Sequence, residues 1–396
     1  MYITIVGGGF GGVKTALELA KESTNQITLI TDKPDFQYYP ALYGAATGRS
    51  HLESWVPLTT IFNGKKNVTI QYDTIETIDP LAKILSGKSG QTYAYETCVM
   101  ALGTVTTYFG IQGLETYSYG IKSAGEIEKL KQHIYTDVAE GRGVDKRYIV
   151  IGAGPTGVEL AAALGSYLKK LSKHLRVKDS TMHVALVEAA PRVLPRMSEK
   201  ASAKVLRRLE KLGVKVQTGK TVESATEDLI TVSGELMTSD TIIWTSGVAN
   251  HPFYKANADN FEFAPNGRIV VDSHMQTKNG VYVIGDNAAT QFTGLAQTAL
   301  HDAIYVAKHL ERVANGQPLM DYTAVMPPVV VPVGAFWAVF EWRKIHITGV
   351  VAAMIRRAAD FIGYSDILPI GQVFGIWRPH RVWHDEPKLS PVEAKE

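Results

Sequence analysis

Two stretches of the chain share one order of apolar and polar positions. The run "YITIV" at residues 2–6 is short and apolar, which is typical of a buried strand, and "VKTALELAKE" from Val13 has apolar residues at helical spacing. The same order returns in "YIVIGAGPTGVELAAALG", which begins at Tyr148. In both places glycines separate the strand from the helix. The repeated pattern predicts two strand–turn–helix units, and therefore an α/β fold with two Rossmann-like domains.

The glycines between each strand and helix have a fixed spacing. They form GxGxxG twice, at Gly7, Gly9 and Gly12 and again at Gly152, Gly154 and Gly157. In such a loop the first glycine allows a tight turn, the second lets a pyrophosphate approach the backbone, and the third lets helix and strand pack closely. The helix N-terminus then presents free N–H groups to the phosphates. Two loops predict two dinucleotides, and FAD with NAD(P)H is the simplest pair because hydride transfer needs both rings in one crevice.

An acid at the end of the second strand of each unit would bind a ribose. In the first unit the strand "QITLIT" is followed by Asp32, although Thr31 occupies the position directly at the end of the strand. In the second unit the strand "MHVALVE" ends in Glu188. A carboxylate there accepts hydrogen bonds from a 2′-hydroxyl and repels a 2′-phosphate, which favours NADH over NADPH. Arg192, four residues later, acts against that preference.

Composition narrows the class of protein. A chain of 396 residues with a net charge of +2 predicts two or three domains and gives no indication of nucleic-acid binding. The single cysteine, Cys98, excludes a disulfide framework and a CxxC pair, and its apolar neighbours predict a buried side chain. The 11 histidines show no metal-ligand spacing, so we expect no metal site. We see no signal peptide and no apolar run long enough to span a bilayer, which favours a cytoplasmic setting.

Three further motifs extend the pattern. "VYVIGDNA" contains Asp286, and "MALGT" and "IWTSGVA" contain Gly103 and Gly247. With these, residues 1 to 325 resemble flavoproteins of the glutathione-reductase type, the pyridine nucleotide–disulfide oxidoreductases. The resemblance implies that Asp286 binds the ribityl–pyrophosphate region of FAD and that the two glycines lie where the chain leaves each nucleotide domain. The lone cysteine argues against sulfide:quinone oxidoreductases and disulfide reductases, which share this scaffold but work through cysteines.

Two segments are most similar to type II NADH dehydrogenases, the single-subunit NADH:quinone oxidoreductases. "AGPTGVEL" resembles the AGxTGVE segment of that family and includes Glu159. "LAQTALHDA" resembles its AQxAxQQG helix, with Ala296 and Gln297 matching directly. His301 and Asp302 stand where the family often has two glutamines, so the details of a quinone site differ here.

The resemblance assigns roles that each have a structural alternative. Glu159 would act at the nicotinamide–flavin junction by positioning NADH or relaying protons, or else it only complements the helix dipole. Gln297 would bond a quinone carbonyl, or else it is a polar residue at a helix start. His301, on the same helix face, would supply a proton to quinone, or else it is a core histidine.

Spacing and resemblance together define the expected cofactor residues. For FAD they are Gly7, Gly9, Phe10, Gly11, Gly12, Asp32, Gly103, Asp286, Ala296 and Gln297. For NADH they are Gly152, Gly154, Thr156, Gly157, Glu188 and Gly247. The aromatic segment with Tyr38, Tyr39 and Tyr43 is expected either along the flavin edge or in a packed aromatic cluster.

The character of the sequence changes from Met326 onward. "MPPVVVPVGAFWAVFEW" predicts strands, and "GVVAAMIRRAADFIG" predicts an amphipathic helix whose Arg356 and Arg357 face anionic lipid headgroups. Further residues have the composition of a membrane-interface belt: Trp377, Arg378, Arg381 and Trp383. A membrane-associating surface is therefore expected, with a dimerisation surface or an ordinary core helix as the alternatives.

The sequence thus predicts an FAD-binding domain at residues 1–113 and 250–325, an NADH-binding domain at 114–249, and a membrane-anchoring or dimerisation region at 326–396. The predicted function is two-electron transfer from NADH to membrane quinone, without proton pumping, in a peripheral protein on the cytoplasmic side of the membrane. Two alternatives remain open: a soluble NAD(P)H:ferredoxin-type reductase with a protein acceptor, and an FAD- and NAD-binding redox signalling protein related to apoptosis-inducing factor. The dependence of solubility on detergent would distinguish the predicted membrane enzyme from the soluble reductase. Steady-state turnover with a short-chain quinone would distinguish it from the signalling protein.

Overall fold

The structure is a computed structural model that describes residues 1–140, 145–177 and 181–377. The helices of this part are, in chain order, α1 (Phe10–Leu19), α2 (Leu42–Ala46), α3 (Leu58–Ile61), α4 (Leu114–Tyr117), α5 (Ala124–Glu140), α6 (Pro155–His174), α7 (Glu199–Lys211), α8 (Pro252–Ala256), α9 (Ala296–Ala314), α10 (Val350–Ser365) and α11 (Ile370–Trp377).

The strands of the described residues are, in the same order, β1 (Tyr2–Val6), β2 (Gln26–Thr31), β3 (Asp35–Gln37), β4 (Trp55–Pro57), β5 (Val68–Tyr72), β6 (Ile75–Asp79), β7 (Ile84–Gly87), β8 (Thr92–Ala94), β9 (Thr97–Met100), β10 (Thr104–Thr106), β11 (Ser118–Tyr119), β12 (Lys146–Ile151), β13 (Met182–Glu188), β14 (Val214–Thr218), β15 (Val222–Ala225), β16 (Leu229–Val232), β17 (Glu235–Thr238), β18 (Thr241–Trp244), β19 (Val248–Asn250), β20 (Tyr282–Val283), β21 (Val329–Pro332), β22 (Ala338–Trp342) and β23 (Ile345–Gly349).

The first large sheet has the order β20-β9-β1-β2-β5, and all of its neighbours are parallel. Its central strand β1 is buried at four of its five positions, as expected for a strand with both faces of the sheet covered. Helices α1 and α9 pack against one another beside this sheet, and their apolar residues share its core. The late strand β20 therefore returns the chain to the sheet that β1 began.

The second large sheet repeats this arrangement. Its order is β11-β18-β12-β13-β14, again parallel throughout, with β12 in the position that β1 has in the first sheet. Helix α6 follows β12 and buries Val158, Leu160 and Leu164 against the core. The α/β fold with two Rossmann-like units, predicted from the repeated pattern, is confirmed.

A short antiparallel ribbon joins the two units. Strand β10 follows the first sheet and β19 follows the second, and Val105 pairs with Ala249 between them. Both connections between the units therefore run side by side.

The C-terminal part packs as a third layer. Strands β21, β22 and β23 form an antiparallel sheet, as the apolar segment after Met326 predicts, and α10 packs on it. Within the described residues, no helix combines the length and the apolar character that crossing a membrane requires.

Candidate active site

The first glycine loop lies between β1 and α1. Gly7 has a φ of +116°, and a Cβ at this position would overlap the carbonyl oxygen of Ala101. A Cβ on Gly12 would in turn overlap the carbonyl oxygen of Gly7, so the helix can approach the strand only without a side chain there. Gly9 caps α1, and a Cβ built on it meets no atom within 4 Å. Open space therefore faces the N-terminus of α1, where a phosphate fits.

The second loop reproduces this geometry. Gly152 has a φ of +100°, and a Cβ on Gly157 would overlap the carbonyl oxygen of Gly152. Gly154 caps α6 with Pro155 directly after it, and a Cβ on Gly154 again meets nothing within 4 Å. The exposed Thr156 lies in the first turn of α6. Both loops thus fit the pyrophosphate of a dinucleotide.

The two candidate ribose acids do not occupy equivalent positions. Val6 pairs with Ile30 and Ile151 pairs with Val187, so Thr31 is the structural counterpart of Glu188. Asp32 lies one residue beyond the strand and is exposed.

Glu188 is fixed against the second glycine loop. Its carboxylate accepts the backbone N–H of Ala153 at 2.6 Å and that of Ala190 at 2.8 Å. The guanidinium of Arg192 is bonded elsewhere: Nη1 donates to Met197 O at 2.6 Å and to Ser202 Oγ at 2.8 Å, and Nη2 to Pro195 O at 2.8 Å. Arg192 is therefore committed to its own loop and is not free to receive a 2′-phosphate.

Asp286 lies at the ribbon between the two units. Thr104 Oγ1 donates to its carboxylate at 3.4 Å, while burial raises the pKa of Asp286, with Arg268 acting in the opposite direction. The next residue, Asn287, donates from Nδ2 to Gly103 O at 2.5 Å. This bond connects the Asp286 turn to the segment by which the chain leaves the first sheet. Gly103 has a φ of +69° with open space around it. A buried carboxylate with a single weak side-chain donor suits a ligand hydroxyl.

Gly247 lies between β18 and β19, where the chain leaves the second sheet, and it is closely packed. It has a φ of +76°, and a Cβ there would overlap the carbonyl oxygen of Thr107. Lys122 Nζ donates to Gly247 O at 3.4 Å and is attracted by Asp286, while burial lowers the pKa of Lys122. Sequence patterns gave no signal for Lys122, since it belongs to no motif and reaches the ribbon only through the fold.

The tyrosines of the aromatic segment have different environments: Tyr38 is packed in the core, whereas Tyr39 is partly exposed. Phe10 is buried against Phe36, with ring centroids 4.9 Å apart, and Tyr38 stacks on Tyr364 at 4.3 Å. Tyr39 is 46% exposed, and its pKa rises to about 12 through burial of the hydroxyl and the nearby Asp286 and Asp32. Tyr39 is thus the tyrosine of this segment that interacts electrostatically with Asp286 and Asp32.

Gly11 and Cys98 are part of the core. A Cβ on Gly11 would come within 3.1 Å of Ile284 Cδ1, so this glycine serves the packing of α1, and only its backbone N–H faces the helix start. Cys98 is buried, as predicted, and burial raises the pKa of its thiol.

The carboxylate of Glu159 is buried and paired. Arg356 Nη1 donates to Glu159 Oε1 at 3.0 Å, although the two residues are 197 positions apart. Arg356 also donates from Nε to Asp360 at 3.1 Å, from Nη2 to Pro40 O at 2.6 Å and from Nη1 to Val330 O at 3.3 Å. Burial raises the pKa of Glu159 to about 7, against the lowering effect of Arg356.

This pairing corrects one prediction from the sequence. Arg356 was expected to face lipid headgroups, but it is 8% exposed, and its guanidinium donates to Glu159, Asp360 and the carbonyl oxygen of Pro40. A guanidinium among two carboxylates and two carbonyls is stable inside the protein because its donors are satisfied. Arg357 is exposed as expected, and its guanidinium lies 4.7 Å from the ring centroid of Trp377.

A cavity of about 260 Å³ opens beside this ion pair. It lies between the aromatic segment, the loops of the C-terminal sheet and α10. Its walls include Pro40, Tyr43, Arg49, Phe336, Trp337, Met354, Arg356, Asp360 and Trp377. The lining of the cavity thus combines apolar and aromatic side chains with the charged Arg49, Arg356 and Asp360.

The start of α9 is separate from that cavity. Ala296 is half-buried and Gln297 is exposed at the first turn, and neither lines the cavity. The ring Nε2 of His301 is bonded to Thr323 O at 2.9 Å. Among the described residues, no hydrogen bond joins Gln297 or His301 to Glu159, which is bonded to Arg356 instead.

Asp302 has a position that sequence reasoning did not single out. It is fully buried, and its carboxylate accepts the N–H of Gly285 at 2.9 Å and the hydroxyl of Tyr322 at 2.6 Å. Burial raises the pKa of Asp302 to about 6. Asp302 therefore holds the turn that presents Asp286.

Part of the expected membrane belt lies outside the described residues, namely Arg378, Arg381 and Trp383. Trp377 is the last described residue, and its indole N–H donates to Arg357 O at 3.0 Å. No group of three or more histidine, cysteine or carboxylate side chains in the described ranges has the geometry of a metal site.

Two parallel sheets, each with an open glycine cradle at a helix N-terminus, define an oxidoreductase with two dinucleotide-binding units. A family model described as pyridine nucleotide-disulphide oxidoreductase matches residues 1–303. The type II NADH:quinone oxidoreductase NdhA of Mycobacterium tuberculosis is 30% identical, over 91% of this chain and 85% of its own length. The type II NADH:quinone oxidoreductase of Staphylococcus saprophyticus is 28% identical, over 94% of this chain and 97% of its own length. The chain belongs to the pyridine nucleotide-disulphide oxidoreductases and, within them, to the type II NADH:quinone oxidoreductases.

Solved structures agree on the fold. The structure of NDH2 from Plasmodium falciparum in complex with NADH superposes with a TM-score of 0.83, covering 95% of this chain and 97% of that chain at 16% identity. The sulfide:quinone oxidoreductase of Aquifex aeolicus gives 0.78, covering 96% of each chain at 20% identity. At such identities the likeness concerns the fold alone, and the latter enzyme shares the scaffold as the sequence predicted.

Proposed function

We propose that the protein oxidises NADH and reduces a quinone by two electrons, without pumping protons. The observation that carries the proposal is the meeting of three regions at Glu159: the helix of the second glycine loop, the aromatic segment and the C-terminal helix α10. In a protein of this family, that convergence brings donor, cofactor and acceptor regions together.

FAD and NADH are the cofactor and the electron donor of this family, and the loops fit them. Bound FAD supplies the two-electron redox chemistry between NADH and the acceptor. We assign FAD to residues 1–113 and 250–325, with Gly9 and Asp286 as its principal contacts, and NADH to residues 114–249, with Gly154 and Glu188. The bonded Arg192 leaves the carboxylate of Glu188 to repel a 2′-phosphate, which supports NADH over NADPH.

Glu159 is the residue that we assign to proton handling or NADH positioning. A carboxyl whose pKa lies near 7 holds and releases a proton at neutral pH, whereas an ordinary glutamate stays ionised. Its partner Arg356 lines the cavity, so Glu159 lies directly behind a residue of the cavity wall. We propose this cavity as the route by which the quinone approaches, because apolar walls suit a lipid-soluble acceptor. Gln297 and His301 remain candidates for quinone contact from the α9 side.

We propose that residues 326–396 hold the protein on the cytoplasmic face of the membrane. In the described part of this region, residues 326–377, six apolar side chains are more than half exposed: Phe336, Val350, Val351, Met354, Ile362 and Phe374. Exposed apolar side chains next to the basic Arg357 suit an interfacial surface that binds anionic lipid. A homodimer that buries the same surface is the competing explanation.

Steady-state NADH oxidation with menadione or a short-chain ubiquinone tests the reaction. Turnover should require bound FAD and should be much faster with NADH than with NADPH. Absence of turnover with every quinone, while ferricyanide is still reduced, would show that the acceptor is something else.

Liposome flotation tests the membrane surface. We expect the wild type to float with anionic vesicles and the double variant Val351→Ser, Ile362→Ser to stay in solution. Leu236→Gln, at an apolar residue that is 71% exposed on β17, is the matched control and should float normally. A wild type that ignores vesicles and elutes as a dimer would establish the competing explanation.

A further inference from the structure

Two arginines from different units face each other across a glycine. A Cβ built on Gly294 would lie 3.5 Å from Arg268 Nη2 and 3.7 Å from Arg196 Nη1. Arg196 follows β13 of the second unit, while Arg268 and Gly294 belong to the segment that returns to the first. A side chain at position 294 would fill the gap, and its φ of +94° also favours glycine. The gap between the guanidinium groups is therefore kept open.

The two guanidinium groups lack an anionic partner between them. Among the described residues no ion pair involves Arg196 or Arg268. Arg268 Nε donates to the backbone carbonyl of Asp286 at 2.9 Å, which leaves its Nη atoms directed elsewhere. Burial lowers the pKa of Arg268, Asp286 opposes this, and Arg196 lowers it further. Like charges held this close are unfavourable unless an anion lies between them.

The loop that carries Arg196 is anchored to the second glycine loop. Leu194 N donates to Ala153 O at 2.8 Å, and Ala153 lies between Gly152 and Gly154. Leu194 is buried at a φ of +47°, a conformation that a leucine adopts only when its surroundings require it. Arg196, two residues on, is thus held at a defined place beside the cradle of the second dinucleotide.

We propose that Arg196 and Arg268 form a clamp across the interdomain cleft that binds the pyrophosphate of NADH on the side opposite the α6 N-terminus. This rests on the proposed use of NADH. It makes Arg268, a residue of the FAD-binding unit, a positioning residue for the donor. Guanidinium groups suit the task because they bind phosphate oxygens through two N–H groups at once.

Kinetics of the FAD-loaded enzyme with two donors test the clamp. Arg196→Gln should raise KM for NADH about 10-fold while kcat stays near the wild-type value, since a charge-assisted bond to phosphate is lost before the chemical step. Reduced nicotinamide riboside has the same reactive ring but no phosphate, and its kcat/KM should not change. Arg207→Gln, at an exposed arginine on α7, is the matched control and should leave both donors unaffected. Arg268→Gln should reproduce the NADH effect, and the double variant should show less than the product of the two single effects because one pyrophosphate is shared.

The outcomes separate this inference from the proposed function. Wild-type turnover with NADH, combined with an unchanged KM in Arg196→Gln, would overturn the clamp and leave the reaction intact. Loss of FAD from Arg196→Gln without a change in KM would place the pyrophosphate on the other dinucleotide and overturn it as well. If the wild type oxidises reduced nicotinamide riboside but not NADH, the proposed function itself fails.

Discussion

Replacing Arg356 by methionine should be among the most damaging single changes to the stability of this protein. The substitution keeps a long apolar side chain but leaves the buried carboxylate of Glu159 without its cation, and Asp360 loses its partner as well. Removing one partner of a buried ion pair costs about 3–5 kcal/mol, because the remaining charge stays desolvated. The two carbonyl acceptors, Pro40 O and Val330 O, are also left without this donor.

Substitution of the other partner, Glu159→Gln, should reduce stability much less. In Glu159→Gln the amide oxygen still accepts from Arg356, and Asp360 still balances the charge. Exchanging a charged for a neutral acceptor costs about 1 kcal/mol. The double variant Arg356→Met, Glu159→Gln should regain part of what Arg356→Met alone loses, because no unpaired carboxylate remains at position 159.

Thermal unfolding of the FAD-loaded protein, followed by circular dichroism, measures these differences. With an unfolding entropy of about 2.1 cal/mol/K per residue over 396 residues, a loss of 3–5 kcal/mol lowers Tm by about 4–6 °C if the chain unfolds as one unit. The neighbouring exposed arginine supplies the control: Arg357→Met should shift Tm by less than about 1 °C. Equal effects at 356 and 357 would refute the buried network. So would a Glu159→Gln variant that is as unstable as Arg356→Met.

Three further predictions concern the site. Glu159→Gln should bind FAD normally but slow the reduction of the flavin by NADH in stopped flow. The rate of the wild type should depend on pH near 7 and that of the variant should not; an unchanged rate and pH profile would make Glu159 structural. Glu188→Gln should narrow the preference for NADH over NADPH in steady-state kinetics, and a wild type that uses both equally would refute the role of Glu188. Burial raises the pKa of Asp302 to about 6. Between about pH 4 and pH 6 the folded protein therefore holds a proton that the unfolded chain has released. The free energy of unfolding falls as pH rises through that window. As pH rises from 4.5 to 7, the Tm of Asp302→Asn should therefore rise relative to the Tm of the wild type. A difference in Tm that stays constant over this range would contradict the buried, titrating carboxyl.

The elements with strict local rules could be predicted from the sequence. Both glycine loops and the buried strands before them depend on spacing over a few residues, and each has the predicted form. The strands after Met326 follow from a short apolar run that is typical of strands. In each case the interacting groups are near one another in the chain.

Long-range partners were not predictable in this way. The helical pattern correctly placed Arg356 on an amphipathic helix, but which face is buried depends on Glu159 and Pro40, which other parts of the fold supply. The position of Asp32 beyond its strand was visible as a one-residue offset, and only the pairing of β2 with β1 establishes it. Asp302 looked like a departure from a family motif, and its bond to Gly285 appears only when α9 packs beside the Asp286 turn.

The ribbon of β10 and β19 makes the second nucleotide-binding unit separable in principle. Because Thr106 and Val248 are paired, the segment between them enters and leaves the rest of the chain at one place. Such a segment is an inserted module, and domains whose ends lie close together tolerate exchange. A dinucleotide unit from an NADPH-using relative can thus be joined at these two residues without cutting the sheet that contains β1. The donor preference of the enzyme is then a property that recombination, rather than a series of point substitutions, can change in one step.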